Sequence, residues 1–207
     1  ALEDQYSGQS SAQKRAAVAD WLTQHNLDAA VISALDSVAW TFNIRGEDVS
    51  HTPVALSFAM LGADGTAALY VELEKVDDAV RQHLGNAVRV HPRSAFAPAL
   101  GDMKGKRIAV DPDRAVAAIF DRLAAGGAQI VPLRDPTILP KAQKNPVEQA
   151  GQRAAQKRDG AALSRFLHWL EGEAPKGGLT ELSAAAKLRD FRVATGKLKD
   201  LSFDTIS

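Results

Sequence analysis

Between residues 28 and 131, short apolar runs alternate with stretches of helical spacing, and nothing else in the 207-residue chain restricts its fold as strongly. Asp28-Ala29-Ala30-Val31-Ile32-Ser33 is an apolar run bounded by polar residues, the form of a strand buried on both faces. Asp36 is placed to cap a short helix through Asn43, with Gly46 as its stop. Residues 54–61 and 68–71 read as two further strands joined across Asp64-Gly65, a hairpin signal that makes the pair antiparallel. Val76, Val80 and Leu84 recur at i, i+4 and i+8 and predict a helix over residues 74–84, stopped by Gly85. The alternation then repeats: a strand at 87–90, a helix over 95–102 capped by Ser94, a strand at 107–110, a helix over 114–125 ended by Gly126-Gly127, and a strand at 129–131. Upstream, Ala16, Ala17, Trp21 and Leu22 predict a helix over residues 11–24 with Ser10 or Ser11 as N-cap. The expected fold is α/β, a mixed β-sheet flanked by helices on both faces that closes near Leu133.

Pro132, Pro136 and Pro140 argue against regular helix or central strand in the next stretch, so residues 134–144 are expected to form a linker between a domain at 1–133 and a second region at 145–207. Asn145-Pro146-Val147-Glu148 is a helix start, with Asn as N-cap, Pro at the first helical position and Glu three residues after the cap. That helix is predicted to run to about Glu171, with Leu163, Phe166, Leu167 and Leu170 on one face. Thr180 caps a further helix to about Ala194, stopped by Gly196. The strand-like run Leu201-Ser202-Phe203-Asp204-Thr205-Ile206-Ser207 then finds no neighbour to pair with, although a strand must hydrogen-bond its backbone. Two helices and one strand do not close a core. With Ala rather than Met at position 1, the chain is expected to be a piece of a longer polypeptide, and its apolar helix faces over 145–194 leave self-association, a homodimer included, open.

Composition narrows the function classes. No apolar run approaches the roughly 20 residues that span a bilayer, no signal-peptide pattern opens the chain, and a soluble, cytoplasmic protein is the default expectation. The absence of cysteine removes disulfides, thiolate catalysis and thiolate-bound zinc together. Charge is uneven: residues 1–140 carry 13 basic and 17 acidic side chains, residues 141–207 carry 12 and 8. Lys144, Lys157, Arg158, Arg165, Lys187 and Arg189 are spread among acids without interleaved aromatics, which fits a solvated face and not a nucleic-acid surface.

The residues alone reveal no active site. His25, His51, His83, His91 and His168 are scattered, and none belongs to a His-Glu-x-x-His helix. Asp77-Asp78 and Asp111-Pro112-Asp113 are the close carboxylate pairs; such pairs can hold a hard cation, but each is expected at a helix start, where acids favour the positive end of the helix dipole. No Gly-rich phosphate loop follows a strand, and no Ser sits in a Gly-x-Ser-x-Gly elbow.

Three segments in order carry a resemblance: Ser33-Ala34-Leu35-Asp36-Ser37-Val38-Ala39-Trp40-Thr41-Phe42-Asn43-Ile44-Arg45-Gly46, then Lys144-Asn145-Pro146-Val147-Glu148 with Arg158-Asp159-Gly160-Ala161-Ala162, then the run from Leu201 to Ser207. Together they resemble the three-domain Xaa-Pro aminopeptidases (aminopeptidase P). The resemblance implies that residues 1–133 are the creatinase-like middle domain and residues 145–207 the start of the pita-bread metallopeptidase domain. It further implies a parent enzyme that removes the first residue of peptides with proline second, using water bridged between two divalent metal ions, usually manganese. The ligands in that family, two Asp, one His and two Glu, lie beyond the segment similar to Phe203-Asp204-Thr205-Ile206. No metal ligand or catalytic group is therefore carried over to this chain, Asp204 matches a non-ligand position, and these residues alone are expected to be inactive. The one substrate-side candidate is Arg45, in a loop after a helix C-terminus; an exposed arginine or an interdomain salt bridge is the plainer reading. Trp40 and Phe42 are expected to pack. A non-catalytic pita-bread scaffold, and a prolidase or creatinase, remain the rival readings.

Overall fold

The computed structural model describes residues 1–206. Contacts divide the chain into two compact units, one of residues 1–49 and 53–145, the other of residues 50–52 with those from Pro146 onward.

The first unit is built on a six-stranded mixed sheet: β1 (Ala29–Ile32), β2 (Ser57–Gly62), β3 (Ala67–Val71), β4 (Val88–His91), β5 (Arg107–Val110) and β6 (Gln129–Pro132), in the order β4-β3-β2-β1-β5-β6. The β1–β2 and β2–β3 pairs are antiparallel; β1–β5, β3–β4 and β5–β6 are parallel. Side chains alternate between two cores, as the period of two in a strand requires. Ile32, Leu61 and Leu69 point into one core with Leu22 and Phe42, whereas Val31, Met60, Tyr70 and Ile108 point into the other with Leu100 and Leu123. Helices α1 (Asp4–Ser7), α2 (Ser11–Gln24), α3 (Leu35–Phe42), α4 (Asp78–Leu84), α5 (Phe96–Gly101), α6 (Ala117–Ala125) and α7 (Ile138–Ala142) complete the unit. The first core takes residues from α2, α3 and α4, the second from α5 and α6, so helices cover both faces. Ser10 caps α2 in a reciprocal box with Gln13, and Gly65 takes the positive φ of the β2–β3 turn while Asp64 accepts hydrogen bonds from the Thr66 amide and hydroxyl.

Several boundaries differ from the sequence expectation, each for a local reason. Asp36 lies in the first turn of α3, not at its cap; Ala34 is the N-cap, and Asn43, at φ 51°, takes the left-handed position expected of Gly46. The helix expected from residue 74 breaks at the extended Val76, which packs into the core, and restarts where Asp77 accepts from the Val80 amide at 2.7 Å. Ser94 lies in a 3-10 turn, and α5 begins without a side-chain cap. Asp111 draws the amides of Asp113, Arg114 and Ala115 into a turn, leaves Val116 extended and delays α6 to Ala117. This acidic pair therefore sits in a strand-to-helix turn and not at a helix start. In the proline-rich stretch a short α7 forms; Pro140 is its third residue, where an amide has no intrahelical acceptor to lose.

The second unit contains α8 (Pro146–Glu173) and α9 (Glu181–Val193), joined through a 3-10 turn and the positive-φ pair Gly177-Gly178. Thr180 caps α9 in a box with Ser183. The helices pack on one another, and Arg192 grips Asp159 through Nε at 2.8 Å and Nη2 at 3.3 Å. Phe166 and Ala162 are buried, while Leu163, Leu167, Leu182 and Val193 remain exposed. Residues 201–206 form no strand: no ladder partner lies beside them among the described residues, and a strand without one is not a stable state. The last residue of the expected run, Ser207, lies outside the described residues.

Candidate functional site

The turn that follows α3 is fastened by buried polar side chains. Asn43 adopts the left-handed conformation that closes the helix, its amide reaching the carbonyls of Ala39 and Trp40. Its side chain is fully buried and saturated on both ends: Nδ2 donates to Ser7 Oγ at 3.1 Å and to the Gln9 carbonyl at 2.8 Å, and Oδ1 accepts from Lys14 Nζ at 2.5 Å. Lys14, only 2% exposed, also donates to the Trp40 carbonyl at 3.0 Å, and its ammonium lies 4.3 Å from the centre of the Trp40 ring. A cation at the C-terminus of α3 meets the negative end of the helix dipole, an aromatic face and a carbonyl together.

Arg45 leaves this turn exposed, with Nη1 donating to the Ile44 carbonyl at 2.8 Å and the Ala39 carbonyl at 3.2 Å. The guanidinium is thus folded back over the end of α3. Gly46 follows because nothing larger fits: a Cβ there would sit 2.7 Å from the Ala55 amide nitrogen. Beyond it Asp48 accepts from Lys75 and from the Leu56 amide, and these bonds, Lys75 first, hold its carboxyl below the usual range. Phe42 is fully buried and Trp40 half-buried, which gives both the packing role expected of them.

Within the second unit His51 meets partners through both ring nitrogens. Its Nδ1 faces the Leu201 carbonyl at 3.0 Å and its Nε2 faces Asp204 Oδ1 at 3.0 Å, with Asp200 Oδ2 3.5 Å from Nδ1. Both ring nitrogens meet acceptors, so only the imidazolium satisfies both. Asp204 above all raises the pKa of His51 from its ordinary value; burial opposes it, and the Leu201 carbonyl adds a smaller push upward.

Neither the Lys14–Asn43 junction nor the His51 pair was legible in the chain. Lys14 sits in an ordinary helix pattern, and the partners of His51 lie 150 residues away. Asp111 and Asp113 come together only as a turn: Asp111 is spent on the amides of Asp113 at 2.9 Å and Asp135 at 2.8 Å. Among the described residues no three His, Cys, Asp or Glu side chains converge as a metal site requires. The described side chains therefore do not themselves make up a two-metal centre.

This arrangement, a sheet with α2 and α3 on one face and α5 and α6 on the other, can be set beside known proteins. Residues 1–148 match the family described as the creatinase/prolidase N-terminal domain. The chain belongs to that family. The whole of this creatinase/prolidase-type chain is 34% identical over 212 residues to Xaa-Pro aminopeptidase 1 of Dictyostelium discoideum, of which it covers 33%. It is 40% identical over 191 residues to a probable Xaa-Pro aminopeptidase P of Paracoccidioides brasiliensis, covering 86% of this chain and 31% of that protein. The crystal structure of X-prolyl aminopeptidase from Caenorhabditis elegans, described as a cytosolic enzyme with a di-nuclear active site, superposes with a TM-score of 0.90 at 29% identity, covering 99% of this chain and 34% of that one. The creatinase/prolidase-type chain thus spans about a third of the length of the curated relatives it matches. No helix among the described residues is long and apolar enough to cross a membrane.

Proposed function

We propose that this chain is part of a metal-dependent Xaa-Pro aminopeptidase: residues 1–133 its creatinase-like domain, 134–144 the linker, and 145–207 the opening of its pita-bread catalytic domain. The reading rests above all on the superposition with the Caenorhabditis elegans enzyme, which extends over both units and not the first alone. The parent polypeptide removes the N-terminal residue from peptides with proline second, in the cytoplasm, with two manganese ions held by residues that this chain does not supply. A homodimer belongs to the same reading, supported by the exposed Leu167, Leu182 and Val193. Arg45 is its substrate-side residue. The Arg45 guanidinium is oriented by the Ala39 and Ile44 carbonyls, and a side chain already held in place gives up little further freedom on meeting a peptide substrate.

The test compares the 207 residues with the full-length parent. Manganese-dependent release of arginine from an Arg-Pro-Pro peptide is expected from the full-length protein and not from the 207 residues. Turnover by the shorter chain, or a full-length protein that binds two metals yet leaves the peptide intact, would overturn the reading. Replacing Arg45 with Ala in the full-length protein is expected to raise KM or lower kcat by about tenfold, the loss of one charge-assisted hydrogen bond. Unchanged KM and kcat would remove Arg45 from the site without touching the wider reading.

A further inference from the structure

His51 lies in a short turn whose residues 50–52 group with the second unit. Its backbone stands at φ 60°, in the left-handed region where a Cβ crowds the following carbonyl and which glycine enters freely. A side chain kept at such a position offsets that cost through its contacts. Here every one of those contacts reaches the same segment: the Leu201 carbonyl at 3.0 Å from Nδ1, Asp204 Oδ1 at 3.0 Å from Nε2, and Asp200 Oδ2 at 3.5 Å from Nδ1. Residues 201–206 have no ladder partner among the described residues, and the other bond of this segment is a local one, from the Leu201 amide to Asp200 at 2.7 Å. One ring therefore holds residues 200–204 at two points, in place of the backbone pairing that would fix a strand.

The charged groups that act on the ring, Asp200 and Asp204, both belong to the segment it holds. The loop that carries His51 also brings Glu47 and Asp48, and Asp48 is held by Lys75 at 2.7 Å. The His51 side chain is 23% exposed and that of Asp204 94% exposed, so solvent and salt weaken the pair and its effect is moderate.

We propose that His51 is a positioning residue of the parent enzyme, one that fixes residues 200–204, on the chain's approach to its catalytic region, by gripping Leu201 and Asp204 with a single imidazole. The proposal rests on the aminopeptidase reading and adds to it a group that acts through the segment it holds and not on the substrate. Only the imidazolium donates to both acceptors, and the neutral ring keeps one donor. Asp204 above all raises the pKa of His51. Both contacts are therefore complete below the free value of about 6.5, and one is lost as pH rises through the raised value.

The test follows kcat and KM of the full-length protein on an Arg-Pro-Pro peptide from pH 6 to about pH 9, beside amide exchange at residues 200–204 in the 207-residue chain. His51→Gly removes the ring and relieves the positive φ, so the melting temperature is expected to stay unchanged or rise. Its kcat is expected to fall about three- to tenfold at pH 6, the range for two partly exposed hydrogen bonds of which one is charge-assisted, with KM little changed and the deficit narrowing as pH rises. His51→Asn accepts the left-handed backbone and sets an amide nitrogen where Nδ1 stands. It is expected to exceed His51→Gly in kcat by the same factor at every pH. Asp204→Asn keeps an acceptor without the charge and is expected to move the transition to lower pH. A full-length protein that cleaves the peptide equally well with and without His51, a deficit constant with pH, a deficit matched by a fall in melting temperature, or equal amide exchange at pH 6 in the unmodified chain and His51→Gly overturns the proposal alone. An unmodified full-length protein that leaves the peptide intact overturns the aminopeptidase reading and this proposal with it.

Discussion

The two units of this chain solve burial in opposite ways. In the first, every strand of the sheet except the edge strand β6 contributes buried residues to one or both of two cores, and Leu22, Ile32, Phe42, Ile108 and Leu123 are at most 1% exposed. In the second, a helix of 28 residues buries only Ala162 and Phe166, and α9 buries nothing. Its helices hold their shape through caps, a fork between Arg192 and Asp159, and the Lys187 ammonium near the rings of Trp169 and Phe191. Such contacts individually contribute a few tenths to about 1 kcal/mol, whereas a filled core position contributes several times more. Stability in the first unit is set by packing, and in the second by local chemistry.

Truncating a core aromatic is the strongest way to break this contrast. Phe42→Ala is expected to destabilise the first unit by about 3–5 kcal/mol, whereas Phe166→Ala, flanked by the exposed Leu163 and Leu167, is expected to cost no more than about 3 kcal/mol. Chemical denaturation followed by near-ultraviolet signal checks both, and equal losses would show that the second unit is packed like the first. Gly46→Ala comes next: its Cβ meets backbone as well as side-chain atoms of Ala55, so the two loop segments must part, at about 1–3 kcal/mol. A neutral melting temperature would mean that this turn is softer than the Asn43 fastening implies. A smaller change, at most about 1 kcal/mol, is expected from Asp159→Asn, read as lost helicity in far-ultraviolet circular dichroism. The subtlest test is pH. Because the pKa of His51 is raised in the folded chain, the ordering of residues 200–204 is complete below about pH 6.5 and is lost as pH rises through the raised value. Amide exchange at these residues is expected to quicken in that window, and His51→Phe is expected to flatten the profile.

What the chain disclosed in advance follows the same division. The apolar run Ala29-Ala30-Val31-Ile32 between polar residues and the Asp64-Gly65 turn are local signals, and they placed β1 and the hairpin correctly. Helix starts failed where two local preferences competed. Asp77 outbid the periodicity of Val76 and Val80 by capping a later start, and Asp111 spent its oxygens on a turn that looked like a helix entry. The junctions that shape the candidate sites were invisible because they pair residues far apart: Lys14 with Asn43, His51 with Asp204, Asp111 with Asp135. No spacing rule reaches across such separations. Arg45 was singled out because it lies in a loop after a helix C-terminus, whereas the unpartnered Ser11 hydroxyl has no counterpart in the sequence pattern.

Residues 50–52 group with the distant second unit although the chain on either side of them belongs to the first. A single cut therefore cannot separate this molecule into its halves. A shortened protein ending at Asn145 keeps the whole sheet yet strips His51 of Leu201 and Asp204, and one beginning at Pro146 keeps the two acceptors and loses the imidazole that joins them. The natural excision is two breaks and a graft, with 50–52 carried across as a short insert.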